Sequence, residues 1–319
     1  MIHLVFTGGT ISMQHDPAAG GNVPTHGGER LVELAPGLER ISPFRIENWA
    51  RLPAVHLGPD RLWALRERIR ELQEGTVDGE SPRGIVITHG TDTLEETAYL
   101  LARTLDPAVP VALTGAMRTS SDAAWDGPGN LRDAATVAAS RASAGRGAMV
   151  VFAGSVFAGH EAVKTDTTRL DAFAAPHGRP LGRVADGQVE YVSSPRPSAR
   201  LPARNLDPRV ALIPMVVGDQ GQLLDLARPT HDGVVIEAFG AGNLPPGAVP
   251  AIRRWLDEGK PVVLASRCAT GVVVPAYAFE GGGAGLVTLG AVPAGPRTPS
   301  QARLELALSL AAGVPYSAA

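Results

Sequence analysis

Cysteine is almost missing from this 319-residue chain: Cys268 stands alone. A single thiol cannot close an intramolecular disulfide, so nothing implies an oxidising compartment. No apolar run approaches the roughly 20 residues that a membrane-spanning helix needs. There is no Lys/Arg block, and the formal net charge is −3. That balance argues against nucleic acid or an acidic membrane as the main partner. The chain opens directly on the strand-like Ile2-His3-Leu4-Val5-Phe6, which leaves no room for a basic and hydrophobic signal peptide. A soluble cytoplasmic protein is the expectation. What is present is ordinary: 44% hydrophobic and 19% charged residues, a globular and not a disordered composition. The length fits one large domain or two moderate ones.

Short apolar runs alternate with helix-period segments. Strands are expected at Ile2–Phe6, Ile85–Thr88, Val111–Thr114, Ala148–Phe152, Val210–Ile213, Val234–Glu237 and Val262–Ala265. Several are apolar almost throughout, as strands buried on both faces of a parallel sheet are. Between them, Leu62, Leu65, Ile69 and Leu72 recur at three- and four-residue steps, a helical stripe. Further helices are expected at Glu95–Leu105, Leu131–Ser143, Val249–Glu258 and Gln301–Ala311. The alternation predicts an α/β fold: a larger N-terminal doubly wound, mostly parallel sheet domain and a smaller C-terminal α/β domain. Prolines crowd the stretch between Pro176 and Asp207, including Pro195, Pro197 and Pro202, which suits a semi-rigid connector. The expected organisation is therefore 1–187, a linker at 188–208 with one strand-like piece at Val189–Val192, and 209–319 with three or four strands.

Four short segments carry residues capable of chemistry. Thr7-Gly8-Gly9-Thr10-Ile11-Ser12 follows the first strand; it reads either as a tight exit turn or as a loop whose glycines let backbone approach a ligand. It is no phosphate loop, because neither G-x-x-x-x-G-K nor G-x-G-x-x-G occurs there. His89-Gly90-Thr91-Asp92-Thr93 follows the second strong strand, and Asp92 or Thr93 is placed to cap the next helix. His89 has no second His or Cys at ligand spacing, so a metal site is not expected. Thr114-Gly115-Ala116-Met117-Arg118 leaves the third strand, ahead of Asp126-Gly127-Pro128-Gly129-Asn130-Leu131. Lys164-Thr165-Asp166-Thr167-Thr168 is either a solvated surface run or, between Val163 and Leu170, a half-buried amine able to act as a base.

Taken together these segments resemble the bacterial-type L-asparaginase family, which includes the glutaminase-asparaginases. The resemblance rests on TGGTIS at Thr7–Ser12, HGTDTLEETAYLL at His89–Leu101, GAMR at Gly115–Arg118, DGPGNL at Asp126–Leu131 and KTDTT at Lys164–Thr168, and extends to Gly240–Leu244 and Ser266–Gly271. It implies hydrolysis of a side-chain carboxamide, by default of L-asparagine to L-aspartate and ammonia, without metal or organic cofactor. Thr10 matches the threonine nucleophile that forms an acyl-enzyme. Thr91, Asp92 and Lys164 match the group that activates a hydroxyl or a water, and Asp92 also matches the carboxylate that holds the substrate α-ammonium. The Ala116 carbonyl matches a contact to the leaving nitrogen, the Thr91 amide an oxyanion donor, and Asn243 a residue lent by the adjacent subunit. A homodimer or homotetramer binding a small-molecule amide, with neither nucleic acid nor membrane as partner, is implied.

Three departures from the family pattern concern recognition. The segment Met13–Arg30 has the glycines of a mobile lid but no tyrosine; Tyr277 is either its substitute or structural. Where the family places a carboxylate-binding serine and a polar neighbour, this chain has Val55 and His56; His56 can bond a carboxylate, and valine cannot replace the hydroxyl. A C-terminal glutamate has no clear counterpart, Glu280 lying beside Gly281-Gly282-Gly283. Alternative readings are hydrolysis of another amide (glutamine, a D-amino-acid amide or peptide-linked asparagine) and a non-catalytic amino-acid-binding relative.

Overall fold

The structure is a computed structural model and describes residues 1–75, 82–196 and 198–318. Pro197 of the expected connector and the terminal Ala319 lie outside the described residues. The chain divides into two compact units, Met1–Arg200 and Leu201–Ala319.

The first unit opens with β1 (Ile2–Gly8), a 3-10 turn at Thr10–Ser12, and a hairpin of β2 (Met13–Asp16) and β3 (Gly21–Pro24). Helix α1 (Gly28–Glu33), β4 (Phe44–Leu52), α2 (Pro59–Glu74), β5 (Gly84–Thr88), α3 (Leu94–Thr104) and β6 (Val111–Thr114) follow. The rest is α4 (Gly127–Ala139), β7 (Ala148–Phe152), β8 (Ser155–Ala158), the short pair β9 (Val163–Lys164) and β10 (Phe173–Ala174), β11 (Gly182–Ala185) and β12 (Gln188–Tyr191). Eight strands form one sheet in the order β12-β11-β8-β7-β6-β5-β1-β4. The five from β7 to β4 are parallel, and the others continue the sheet antiparallel.

Alternation along the central strands sorts their side chains onto two faces. Ile2, Leu4, Phe6 and Val86 pack with Leu31 and α4's Leu131, Ala134 and Ala138. Val5, Ile85 and Ile87 pack on the other face with Leu65, Ile69 and Leu72 of α2 and Leu94, Ala98 and Leu101 of α3. Strands covered on both faces must be apolar throughout, and β1, β5, β6 and β7 are buried along their whole lengths. The chain leaves β1 for β4 on one side and then crosses back to β5 on the other. That reversal opens a crevice beyond the carboxyl ends of β1 and β5, where ligands bind in such sheets.

The second unit is simpler. β13 (Val210–Pro214), α5 (Gln222–Ala227), β14 (Gly233–Ala238), α6 (Val249–Asp257), β15 (Val262–Ser266), α7 (Gly283–Leu289), β16 (Val292–Pro293) and α8 (Pro299–Ala312) form a four-stranded parallel sheet in sequential order. Trp255 of α6 is fully buried, its indole N–H donating to the Leu224 carbonyl at 3.0 Å. A capping box between Thr298 and Gln301 starts α8.

Several elements differ from the sequence reading. β4 was not expected because Arg45, Glu47 and Arg51 interrupt it; it is an edge strand, where charge is tolerated, and Glu47 is paired with Arg68 and His3. The segment expected as a mobile lid contains the paired hairpin of β2 and β3. Helix α4 begins at Gly127, ahead of Leu131, with Pro128 in its first turn, where no N–H is needed. The expected connector starts too early, since Gln188–Tyr191 is β12, paired to β11, with Val189 and Tyr191 packed on the core. Among the described residues, no helix is long and apolar enough to cross a membrane.

Candidate active site

Parallel register brings the motif loops together. Phe6 of β1 lies opposite Thr88 of β5, and Thr88 opposite Thr114 of β6, so the loops holding Thr10, Thr91 and Ala116 leave three adjacent strands at one level. The buried Thr7 hydroxyl donates to the Thr88 carbonyl at 2.8 Å and clamps the first two exits. Gly9 sits at φ +86°, and a Cβ there would stand 2.3 Å from the backbone nitrogen of Gly90. Only a residue without a side chain permits that approach, and it sets Thr10 beside the Thr91 loop. Ser12 closes the turn, its hydroxyl donating to the Gly9 carbonyl at 2.8 Å. Thr10 itself is half-buried, at the first position of the 3-10 turn.

Lys164 comes from β9, far along the chain. Its Nζ donates to Oγ1 of Thr91 at 2.9 Å and to Oδ1 of Asp92 at 2.9 Å. The lysine side chain is 17% exposed, so its amine is held against the loop and does not extend into solvent. Thr91 is 4% exposed, while the Asp92 side chain is open at 67%. The Lys164 backbone N–H donates to the Glu95 carboxylate at 2.5 Å, which fixes β9 to the first turn of α3. Burial raises the pKa of Glu95, opposed by that N–H and by the lysine charge.

The remaining motif residues divide into those that hold the loops and those that face outward. His89 is fully buried, bonded to the Gly90 carbonyl at 2.8 Å and to Thr97 at 3.0 Å, and burial pushes its pKa down to about 4. It is a neutral strut between the loop and α3. Thr93 occupies the N-cap position of α3, but its hydroxyl donates to the Ala54 carbonyl at 3.3 Å instead of capping. Ala54 belongs to the 3-10 turn Ala54–His56 at the exit of β4, which brings His56 and Val55 to this same edge, both exposed. Ala116 is fully buried.

Asp126 and Asn130, in the Asp126–Leu131 motif, hold the loop after β6. The Asp126 carboxylate accepts the N–H groups of Met117 and Arg118 at 3.0 and 2.9 Å. The Asn130 amide donates to the Gly115 carbonyl at 3.0 Å and accepts the Ala153 N–H at 3.1 Å. The two side chains bracket Ala116 from either end. The hairpin is likewise anchored, since Ser120 donates to the Met13 carbonyl at 3.0 Å and bonds His26 at 2.7 Å. No local pattern marks these partners; the spacing of Asp126 and Asn130 on one helical face was the only available signal.

Asn243 and Tyr277 belong to the second unit. Asn243 accepts the N–H of Gly283 at 3.2 Å, and the Tyr277 carbonyl accepts that of Ala284 at 2.9 Å, so the start of α7 ties both. The Tyr277 ring is half exposed and lies 5.7 Å from Phe279, centroid to centroid.

Doubly wound topology with hydroxyls, an amine and a carboxylate gathered at the strand exits defines an α/β protein with its site at the carboxyl edge of the sheet. Residues 1–197 match the family described as asparaginase, N-terminal, and residues 209–318 match the glutaminase/asparaginase C-terminal domain. A probable L-asparaginase of Deinococcus radiodurans is 40% identical over 97% of this chain and 92% of its own length. L-asparaginase 2 of Escherichia coli is 32% identical over 97% of this chain and 88% of that protein. The crystal structure of a probable cytoplasmic L-asparaginase from Campylobacter jejuni superposes with a TM-score of 0.83, at 27% identity, over 97% of this chain and 94% of that one. The chain belongs to the asparaginase family and is an asparaginase-type amidohydrolase.

Proposed function

We propose that the protein hydrolyses L-asparagine to L-aspartate and ammonia through a threonine acyl-enzyme. The observation that carries this reading is the Lys164 amine, 2.9 Å from both the Thr91 hydroxyl and the Asp92 carboxylate. An amide is a poor electrophile and a threonine hydroxyl a poor nucleophile, so a base must take the proton as the new bond forms. Thr10 supplies the attacking oxygen, and Lys164, which Asp92 orients, is the base that takes its proton. The carbonyl oxygen, negative in the tetrahedral intermediate, is met by the backbone N–H of Thr91. Collapse breaks the carbon–nitrogen bond, the nitrogen takes up the proton and leaves as ammonia, and an acyl ester remains on Thr10. Water, deprotonated by the same base, then releases the carboxylate and restores the hydroxyl.

Recognition rests on Asp92 for the substrate α-ammonium and the Ala116 carbonyl for the departing nitrogen, with Asn243 and Tyr277 contributed by the second unit of a neighbouring copy in a homodimer or homotetramer. At the end that would hold the α-carboxylate, the exposed Val55 offers no hydroxyl and His56 stands beside it. This favours a second reading for the substrate alone, in which glutamine, a D-amino-acid amide or peptide-linked asparagine is processed by the same machinery.

Ammonia release over a panel of these amides identifies the substrate. With the best of them, Thr10→Ala is expected to abolish turnover with circular dichroism and melting unchanged. Lys164→Met should lower kcat by about 10² to 10⁴. Wild-type turnover in Thr10→Ala would refute the nucleophile, and saturable binding of an amide with no ammonia from any would favour a sensing relative.

A further inference from the structure

At the end of α3 opposite to Asp92, the first unit has a second cavity. Its volume is about 420 Å³, and its lining includes Arg146, Arg196, Arg200, His160, Ser194 and Ser198. Three arginines therefore line one half-open cavity. Two of them have carboxylate partners: Arg196 pairs with the buried Glu161, and Arg200 with Asp106 at 3.3 Å. Arg146 has none among the described residues. Its Nε and Nη1 donate to the carbonyls of Ala142 and Ser193 at 2.9 and 2.8 Å, and the guanidinium lies 3.7 Å from the centroid of the Tyr191 ring. A cation fixed by carbonyls and an aromatic face keeps its full charge and its position. The site is thus preset for an oxyanion, and its volume falls in the range of small-ligand pockets.

The same segments that build this cavity hold Lys164. His160 and Glu161 immediately precede the run into β9, and Glu161 lies three residues before the lysine. Ala102 of α3 and Leu105, which caps its C-terminus, line the cavity, while Glu95, at the other end of that helix, accepts the Lys164 N–H. An anion drawing on Arg196 competes with Glu161 for it and so acts on the strand that delivers the amine.

We propose that this cavity is a regulatory site for a small dianion, a phosphate or a short dicarboxylate. Isothermal titration of the full chain with inorganic phosphate, and separately with succinate, tests it and tells the two apart. Sodium chloride at matched ionic strength is the control. Binding by either anion is expected to be saturable and to weaken about tenfold in Arg146→Gln. The half-exposed Arg200→Gln, whose loss the fold tolerates, should weaken it similarly, with turnover in the absence of anion unchanged. Saturation should change kcat/KM for the amide by roughly fivefold or more. No saturable binding, binding indifferent to both substitutions, an equal response to chloride, or saturation with kcat/KM unaltered each overturns the proposal. The titration needs no hydrolysis, so its outcome is independent of the threonine mechanism.

Discussion

Lysine is used only twice in this chain, at 164 and 260, although Lys and Arg together number 29. Arginine serves nearly every surface ion pair, and an arginine cannot give up its proton in a protein. Retaining lysine where an amine touches a threonine hydroxyl fits a base. Lys260 does other work, donating to the Arg228 carbonyl at 2.5 Å. The residues that the proposed mechanism uses could therefore be named from type and motif, whereas their supports could not. Asn130 shows why: its three bonds join Gly115, Asp126 and Ala153, and only the fold brings those together. Asn130→Ala leaves the buried Gly115 carbonyl without its partner and removes the acceptor of the more exposed Ala153 N–H, at about 2 kcal/mol. Its melting temperature should fall by roughly 5–10 °C in calorimetry. An unchanged melting point would mean that the bracket around Ala116 contributes nothing.

At the scale of elements, strands covered on both faces were legible because burial forces them to be apolar. Edge strands were less so. β4 is interrupted by charge, β12 was legible only as a strand-like piece within the expected connector, and β2 and β3 read as glycine-rich loop because a two-stranded hairpin has no core of its own to fill. The loops between strands obey a different constraint, that of close approach. Gly9→Ala would press a Cβ to 2.3 Å from a Gly90 backbone atom at a positive φ, while Gly145→Ala, also at positive φ (+78°), meets nothing within 4 Å. The second substitution should cost about 1 kcal/mol, from strain alone. The first should cost several times that and remove activity, since the Thr10 and Thr91 loops must part. Equal melting temperatures for the two variants would refute the contact.

Over the molecule as a whole, acid and base sensitivity is set by groups far from the crevice as well as within it. Burial raises the pKa of Asp133 on α4 to about 6, against the opposing charge of Arg132 and the N–H of Gly154. Above pH 6 the folded chain holds an ionised carboxylate in a poor environment while the unfolded chain holds it in water, so folding is penalised. As pH falls from about 6 towards the ordinary 3.8, the folded state takes up the proton first and the penalty disappears. Asp133→Asn keeps an acceptor for Gly154 and carries no charge. It should melt roughly 5 °C higher than the parent at pH 7, with the difference vanishing below about pH 4. His89 acts in the opposite sense: its pKa of about 4 means that stability is lost as pH drops from 6.5 towards 4, so a scan of the parent alone would partly conceal both.

The amine and its two partners are 72 and 73 positions apart, on segments joined only after α4 and β7 have been laid down between them. During synthesis, then, the ribosome releases the hydroxyl-bearing loops long before the lysine that contacts them. Under the proposed mechanism, a nascent or truncated chain ending short of β9 would carry the attacking alcohol without its base, and reactivity would arrive only once Lys164 is in place.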